Sequence, residues 1–225
     1  MLPVLCLLGF VRVFAQFEGI IESKNITTDE LGRPQEFVMT MWVKNGMARI
    51  ETHGTNMPGS SMIYRTDLKK IWILNPEERT YFEIPQSEER RPTGEPPRTE
   101  QSYSVKRTGK KKTIAGYECE QFIIKRENEE TELWGTRRLA HLVSTLAKVL
   151  GSEQVNAGTG AVSEIMKRGI YPMLSATKVD GQLIESQEVT RIEARTLDSS
   201  LFALPPDFKK RKSPELMQDI PDQQK

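Results

Sequence analysis

The sequence is poor in the residues that build covalent cross-links and metal sites. Its 225 residues include two cysteines and two histidines. Cys6 lies in the apolar N-terminal run, and if residues 1–15 are removed Cys119 is the single cysteine left, so no intrachain disulfide can form. His53 and His141 lie far apart in the sequence, and neither has a partner at metal-ligand spacing. We therefore expect no metal and no other cofactor, and a fold that is stabilised by packing.

The chain also lacks an excess of charge of either sign. It carries 32 basic and 31 acidic residues, and removal of residues 1–15 would take away Arg12 and leave 31 of each. A general nucleic-acid binder needs a basic surplus to displace counterions from phosphates. The sequence therefore predicts no nucleic-acid partner.

Motifs of common enzymes are missing as well. No serine lies in a Gly-x-Ser-x-Gly pattern, and no glycine-rich turn suits a dinucleotide. The basic run at 106–112 resembles a phosphate-binding loop, but Ser104 and Lys111 occupy positions where that loop needs glycine and a hydroxyl residue. We interpret the run as a solvated hairpin tip, with contact to an anionic surface as the alternative. Cys119 stands between two glutamates that make it a poor nucleophile, so we predict a small core residue and no enzyme.

The N-terminus has the pattern of a signal peptide. An apolar run at 2–11 is too short to span a bilayer, and Val13-Phe14-Ala15 places small or slim residues where a signal peptidase cuts. A basic start is missing, because the only basic residue there is Arg12. The alternative is a buried N-terminal strand or helix. We expect cleavage after Ala15 and export.

The body of the chain has the alternating pattern of antiparallel strands. From Phe17 to Ile84 apolar residues recur with period two, and Asn45-Gly46 is a strong hairpin signal. A polar, proline-rich stretch at 86–101 predicts a solvated loop. The predicted strands are 17–24, 36–44, 47–52, 60–66, 70–74, 79–84, 102–107, 110–114, 117–126, 131–134, 171–179 and 182–196. The fold class is therefore mainly β, with antiparallel strands.

Helical spacing interrupts the strand pattern once. Residues 138–150 place leucines and valines on one stripe, with Gly151 as a stop, and 161–168 predicts a shorter second helix. The helical insertion, about 137–169, precedes the last strands. We predict a signal peptide at 1–15, a single β-rich domain at 16–206 and a disordered charged tail at 207–225.

Several predicted strands are apolar on both faces. In 36–44, Phe37, Met39 and Met41 point one way while Val38 and Trp42 point the other. One face could pack against the helix at 138–150 while the other lines an apolar groove. The alternative is the filled core of a barrel or sandwich. The candidate groove residues are Phe37, Met39, Met41, Trp42, Trp72, Leu142 and Leu146.

Short motifs spread along the chain carry a family resemblance. They are Phe17-Glu18-Gly19-Ile20, Tyr81-Phe82, Thr108-Gly109-Lys110, Thr113-Ile114-Ala115-Gly116-Tyr117-Glu118-Cys119-Glu120, Leu133-Trp134, Ser200-Leu201-Phe202 and Pro205-Pro206-Asp207-Phe208. With these motifs the chain resembles a bacterial exported family called domain of unknown function 4412. That family resembles the periplasmic lipoprotein carriers LolA and LolB, in which a half-barrel with a helical lid encloses a cavity for acyl chains.

The resemblance implies a periplasmic location with only transient contact with the membrane surface, and a curved antiparallel sheet or half-barrel as the architecture. It brings no catalytic residues. It implies an envelope protein that binds an apolar ligand, either a lipid or a lipoprotein acyl chain, in a groove between sheet and helix. The alternative function is a non-catalytic structural or protein-interaction module of the envelope with a filled core. Read without the family, Thr108-Gly109-Lys110 is a turn and Ala115-Gly116 lets the next strand cross closely over its neighbour.

Overall fold

The computed structural model describes residues 17–29, 31–54, 59–86, 103–150 and 160–211. Within these ranges twelve strands form one open, curved sheet in the order β12-β6-β5-β4-β3-β2-β1-β11-β10-β9-β8-β7. The strands are β1 Gly19–Thr28, β2 Pro34–Lys44, β3 Met47–Gly54, β4 Ser60–Arg65, β5 Lys70–Asn75, β6 Thr80–Pro85, β7 Ser104–Ile114, β8 Tyr117–Arg126, β9 Glu129–Thr136, β10 Tyr171–Val179, β11 Gln182–Ala194 and β12 Lys209–Arg211.

The predicted fold class is confirmed. Eleven of these strands pair antiparallel, and the helices α1 Ala140–Leu150 and α2 Gly160–Met166 lie between β9 and β10, before the last long strands. No helix in the described ranges is both long enough and apolar enough to cross a membrane. The predicted signal peptide, almost all of the predicted loop at 86–101 and the chain beyond Arg211 lie outside the described residues.

Three tight turns set the register of neighbouring strands. Asn45-Gly46, Ala115-Gly116 and Asp180-Gly181 each have two consecutive residues with positive φ, for example 45° at Ala115 and 83° at Gly116. This is the type I′ geometry, whose twist matches that of the flanking strands. The glycine of the central family motif is therefore required by the backbone conformation of a hairpin.

The basic run lies in an edge strand, and its interpretation as a hairpin tip was wrong. The predicted strands 102–107 and 110–114 form the single strand β7, whose pairing with β8 shifts between Arg107 and Lys111. Gly109, with φ of 81°, lies at this β-bulge. Because lysines on an edge strand discourage pairing with other chains, the run has a structural role in this position.

Helix α1 covers one face of the sheet. Its buried side chains share one hydrophobic cluster with Met41 and Val43 of β2 and with buried residues of β1, β3, β4 and β5. We call this side of the sheet the helix face. The side-chain amide of Gln86 donates a 2.8 Å hydrogen bond to the carbonyl oxygen of Val149, which satisfies an orphan acceptor near the end of α1.

The opposite side of the sheet, which we call the outer face, has a cover that the sequence pattern did not reveal. The segment 195–208, with a 3-10 turn at Ser199–Phe202, packs Leu197 and Phe202 into a second cluster with Trp72 and other side chains of the outer face. Arg49 donates to the carbonyl oxygen of Leu201 at 3.1 Å. Arg65 donates to that of Phe202 at 3.2 Å. These bonds fasten an irregular segment to the sheet.

The predicted start of the disordered tail, at residue 207, lies too early in the chain. Lys209–Arg211 forms β12, which pairs in parallel with β6. Phe208 packs against the second cluster, and Lys210 forms an ion pair with Glu83 at 2.8 Å. One aromatic anchor and one partly buried ion pair outweigh the charged composition of this stretch.

Candidate functional site

A groove of about 690 Å³ crosses five adjacent strands in the middle of the sheet. In spatial order these are β3, β2, β1, β11 and β10. The side chains and backbone that line it are those of Lys24, Asn25, Ile26, Glu36, Phe37, Val38, His53, Gly54, Leu174, Ser175, Ala176, Ser186, Gln187 and Glu188. The groove is therefore built from strands alone, without a contribution from α1 or α2.

The strand register orders these residues into three parallel rows. The middle row is Gly54, Phe37, Asn25, Gln187 and Ser175, each paired with the next. Phe37 is four residues from Met41 on β2, so this row shares the helix face. The residues before and after each member point to the outer face. The flanking rows therefore form the walls of the groove, and the backbone of the middle row forms its floor.

Apolar side chains stand on both walls. One wall carries Val38 and Leu174, and the other carries Ile26 and Ala176. Val38 is 42% exposed although it lies near the centre of a sheet. An apolar ligand in the groove would remove this surface from water, which is favourable.

The charged groups of the walls lack ion-pair partners in the described part of the chain. Lys24 lies directly opposite Glu188 in the register of β1 and β11, yet the two side chains do not form an ion pair. Glu36 is likewise unpaired among the described residues, whereas His53 lies 3.5 Å from Glu51. Within the described ranges, one cation and two carboxylates thus have no ion-pair partner and can meet polar groups of a ligand.

The seven groove residues predicted from the sequence lie in three different places. Met41, Leu142 and Leu146 are buried together in the cluster under α1, and Met39 packs against it. Leu142 is fully buried, so this part of the helix face is filled by side chains.

The two predicted tryptophans lie on the outer face. Trp42 and Trp72 belong to the cluster beneath the segment 195–208. The indole N–H of Trp72 donates to Glu83 at 3.1 Å, and the guanidinium of Arg65 lies 5.7 Å from the ring centroid. Of the seven residues, Phe37 is the one that lines the groove, where its backbone forms part of the floor while its side chain lies on the helix face.

The sequence pattern missed the wall residues for two reasons. Lys24, Glu36 and Glu188 occupy alternating positions that are typical of an ordinary solvated face. The groove also depends on the pairing of β1 with β11, which joins residues more than 150 positions apart. A weak local signal was the apolar Val38 between polar or charged neighbours on its face.

The family motif around Cys119 has a structural role. Cys119 is fully buried, and burial raises the pKa of its thiol, which makes it a poor nucleophile as predicted. Nearby, Trp134 and Gln121 each donate a 2.8 Å hydrogen bond to the same carboxylate oxygen of Glu132, and these bonds lower its pKa. Lys112 lies 4.3 Å from the centroid of the Trp134 ring. This network fastens the edge strand β7 to its neighbours.

A smaller pocket of about 470 Å³ has a mixed charge. It is lined by Arg107, Glu118, Glu120, Phe122, Gly135, Thr136, Arg137, Arg138 and Ile170. Arg107 forms an ion pair with Glu120, and Lys111 forms one with Glu118 at 3.0 Å. Since most of its charges compensate each other, we assign no ligand to it.

Comparisons with known proteins give one family and several distant structures. A family model described as "Domain of unknown function (DUF4412)" matches residues 17–208. No curated protein matches the chain. Among solved structures, MucB in complex with MucA(peri) has 12% identity and a TM-score of 0.41, over 84% of this chain and 55% of that one.

Two further structures are similar at the same level. PNGF-II has 11% identity and a TM-score of 0.37, over 90% of this chain and 32% of that one. A LolA superfamily protein from Nitrosomonas europaea has 10% identity and a TM-score of 0.33, over 84% of this chain and 91% of that one. The chain spans about half the length of the MucB chain and a third of the PNGF-II chain.

Proposed function

Because this chain belongs to the family of the domain of unknown function 4412, whose description assigns no activity, we propose its function from the groove: it is a non-catalytic binding protein. The ligand is an apolar chain, of a lipid or of a lipoprotein, that lies across the five central strands. The volume of about 690 Å³ supports this proposal, since ligand pockets typically measure ~300–1,000 Å³.

The observation that carries the proposal is the row of aliphatic side chains on the groove walls. Val38 and Leu174 face Ile26 and Ala176 across the floor. An acyl chain needs apolar surface with few hydrogen-bonding demands, and these side chains supply it on both walls, with Lys24 and Glu188 between the two aliphatic residues of one wall and Ser186 between those of the other. The charged groups of Lys24 and Glu188 lie on the same wall as Val38, where they can contact a polar head group.

The helix face supports an outer position for the ligand. Leu142, Val149 and Val43 are fully buried under α1, and they fill the place where a lid over a cavity would leave space. The groove between sheet and helix that the sequence predicts is therefore not the site that we propose. In this proposal α1 stabilises the sheet and the strands hold the ligand.

We further propose export to the periplasm. The apolar run at 2–11 and the small residues before Gln16 support a signal peptide. A carrier of lipid or lipoprotein chains would act there between the two membranes of the envelope.

The filled helix face also favours a second candidate function. A sheet whose core is occupied by its own side chains can serve as a structural or protein-interaction module, with the groove as a polypeptide-binding surface. The two candidates differ in what occupies the groove.

Native mass spectrometry of the protein purified from its own cell envelope tests the proposal. We expect added mass from co-purified lipid in the wild type. The variant Val38→Asp puts a charge on the apolar wall and should lose that mass. Leu68→Asp is the matched control, because Leu68 is also exposed, at 45%, but lies far from the groove in a 3-10 turn.

A fluorescent fatty acid added to delipidated protein gives the affinity in solution. We expect V38D to weaken its binding by about tenfold or more, whereas L68D binds as the wild type does. Binding that is equal in all three proteins would place the apolar ligand elsewhere. Co-purification of a polypeptide and no lipid would support the interaction module instead.

A further inference from the structure

Exposed apolar surface is concentrated on the two hairpins that carry the groove. Among the described residues, five large hydrophobic side chains are exposed: Leu31 at 75%, Val38 at 42%, Leu68 at 45%, Leu183 at 42% and Ile184 at 36%. Four of them lie on the hairpins β1–β2 and β10–β11. Val38 is a wall of the groove, and Leu31, Leu183 and Ile184 lie at or beside the hairpin tips. We call these three residues the tip patch.

The exposed Leu31 lies in a turn that is held by hydrogen bonds. One carboxylate oxygen of Asp29 accepts hydrogen bonds from the backbone N–H groups of Leu31, at 3.0 Å, and Arg33, at 2.9 Å. The other oxygen accepts one from the Arg33 guanidinium at 2.8 Å. Gly32, with φ of 75°, completes the turn. The backbone is thus held so that the leucine side chain projects into solvent.

The second tip presents its aliphatic pair through a β-bulge. The register of β10 and β11 shifts here, since Thr177 pairs with Glu185 and Lys178 pairs with Leu183. Ile184 is the extra residue, and bulges commonly redirect side chains. The hydroxyl of Thr28 donates to the carbonyl oxygen of Leu183 at 3.2 Å, which joins the two hairpins near their tips.

The tip patch lies beside one wall of the groove. Ile26 and Ser186 form part of a groove wall, and Thr28 and Ile184 follow two residues further along the same strands, about 7 Å away at ~3.3 Å per residue. On β11 the exposed Ile184 therefore lies between the groove wall and the hairpin tip.

We propose that the tip patch inserts into the surface of a lipid bilayer and places the adjacent wall of the groove near the membrane. This inference rests on the proposed function, because it states where the apolar ligand enters and leaves. Aliphatic side chains at protruding tips can enter the acyl boundary while the strand backbone stays hydrogen-bonded outside.

Two features favour a bilayer over a protein partner. The patch is purely aliphatic, whereas the energetic centres of protein interfaces are enriched in tryptophan, tyrosine and arginine. The Asp29–Arg33 ion pair also leaves the β1–β2 tip without a net charge from these two groups. Insertion should therefore need no anionic lipid.

Cosedimentation with phosphatidylcholine vesicles tests this proposal. The triple variant Leu31→Ser, Leu183→Ser, Ile184→Ser should lose about tenfold or more in affinity for these neutral vesicles, because three aliphatic contacts are lost. Leu68→Ser removes an equally exposed leucine elsewhere and should bind as the wild type does. Thermal melting of each protein verifies that all variants remain folded.

Either of two results would overturn the inference. One is a wild type that does not bind phosphatidylcholine vesicles. The other is a triple variant that binds vesicles as tightly as the wild type. If both proteins bind only vesicles that contain anionic lipid, the result also counts against the tip patch and points to the basic edge strand β7. Affinity for a monomeric fluorescent fatty acid separates this inference from the proposed function. The triple variant should keep the fatty-acid affinity of the wild type. If no protein, including the wild type, binds the fatty acid, the proposed function of the groove is refuted, whereas the membrane inference still depends on the vesicle result.

Discussion

The ammonium group of Lys210 donates a 2.8 Å hydrogen bond to Oε1 of Glu83 and so joins the short parallel strand β12 to β6. The same carboxylate accepts the indole N–H of Trp72 at 3.1 Å and lies 3.2 Å from Lys70. These contacts, with Lys210 foremost, lower the pKa of Glu83 from 4.5 to about 2. One side chain thus connects the last strand, the cluster of the outer face and the sheet.

The depressed pKa of Glu83 predicts an acid-sensitive contribution to stability. Since the folded value lies below the unfolded value, the contribution is fully present above pH 4.5 and is lost as the pH falls toward 2. Glu83→Gln should lower the free energy of unfolding at pH 7 by about 1 kcal/mol, a modest value because Lys210 is half exposed. Urea unfolding at pH 7 and near pH 2 measures the difference, which should shrink toward zero in acid.

The control for this prediction is Glu78→Gln. Glu78 forms an ion pair at 2.9 Å with Arg211, which lies in β12 like Lys210, but both side chains are about half exposed. Exposed ion pairs contribute little, so E78Q should unfold nearly as the wild type does at both pH values. A pH-independent effect of E83Q would contradict the assignment.

Because side chains fill the helix face, we expect a mutation there to change the stability of the protein without changing its affinity for the ligand. Leu142→Ala should destabilise the protein by ~2–5 kcal/mol, because this fully buried leucine would leave a cavity under α1. The exposed Ser144 on the same helix provides the control, and S144A should be nearly neutral. Denaturant unfolding measures both variants.

Fatty-acid affinity of the folded L142A protein then distinguishes two roles of α1. If α1 only stabilises the sheet, the affinity stays at the wild-type value. A loss of affinity in L142A at a denaturant concentration where it is fully folded would restore the helix as part of the binding site.

The turns of two hairpins predict opposite changes in stability when their first residues are exchanged. Ala115 and Asn45 occupy the same position of a type I′ turn, with φ of 45° and 39°. Asparagine tolerates this conformation better than alanine, because its side chain can hydrogen-bond locally. Ala115→Asn should stabilise the protein by about 0.5–1 kcal/mol, and Asn45→Ala should destabilise it by a similar amount.

Thermal unfolding monitored by circular dichroism checks both turn variants. The double variant should melt close to the wild type, because the turns lie in different parts of the sheet and their effects should add. Equal loss of stability in both single variants would show that side-chain contacts outweigh turn conformation at one of the sites.

Local features of the sequence determined most of the secondary structure. Period-two alternation predicted the strands, and Asn45-Gly46 and Asp180-Gly181 predicted two hairpins that the structure has. The stripe of Leu142, Leu146 and Val149 predicted α1 and its packing against the sheet. These signals succeed because each depends on residues that are close in sequence.

Only the tertiary structure decided which strands are neighbours and what covers the outer face. The groove needs β1 beside β11, and the register of that pair depends on hydrogen bonds between the two ends of the chain. Leu197 and Phe202 cover the outer face from an irregular segment, which has no period to detect. Trp42 and Trp72 were predicted as groove residues, yet they lie under that segment, because an apolar side chain shows that it needs a cover without showing which cover it receives.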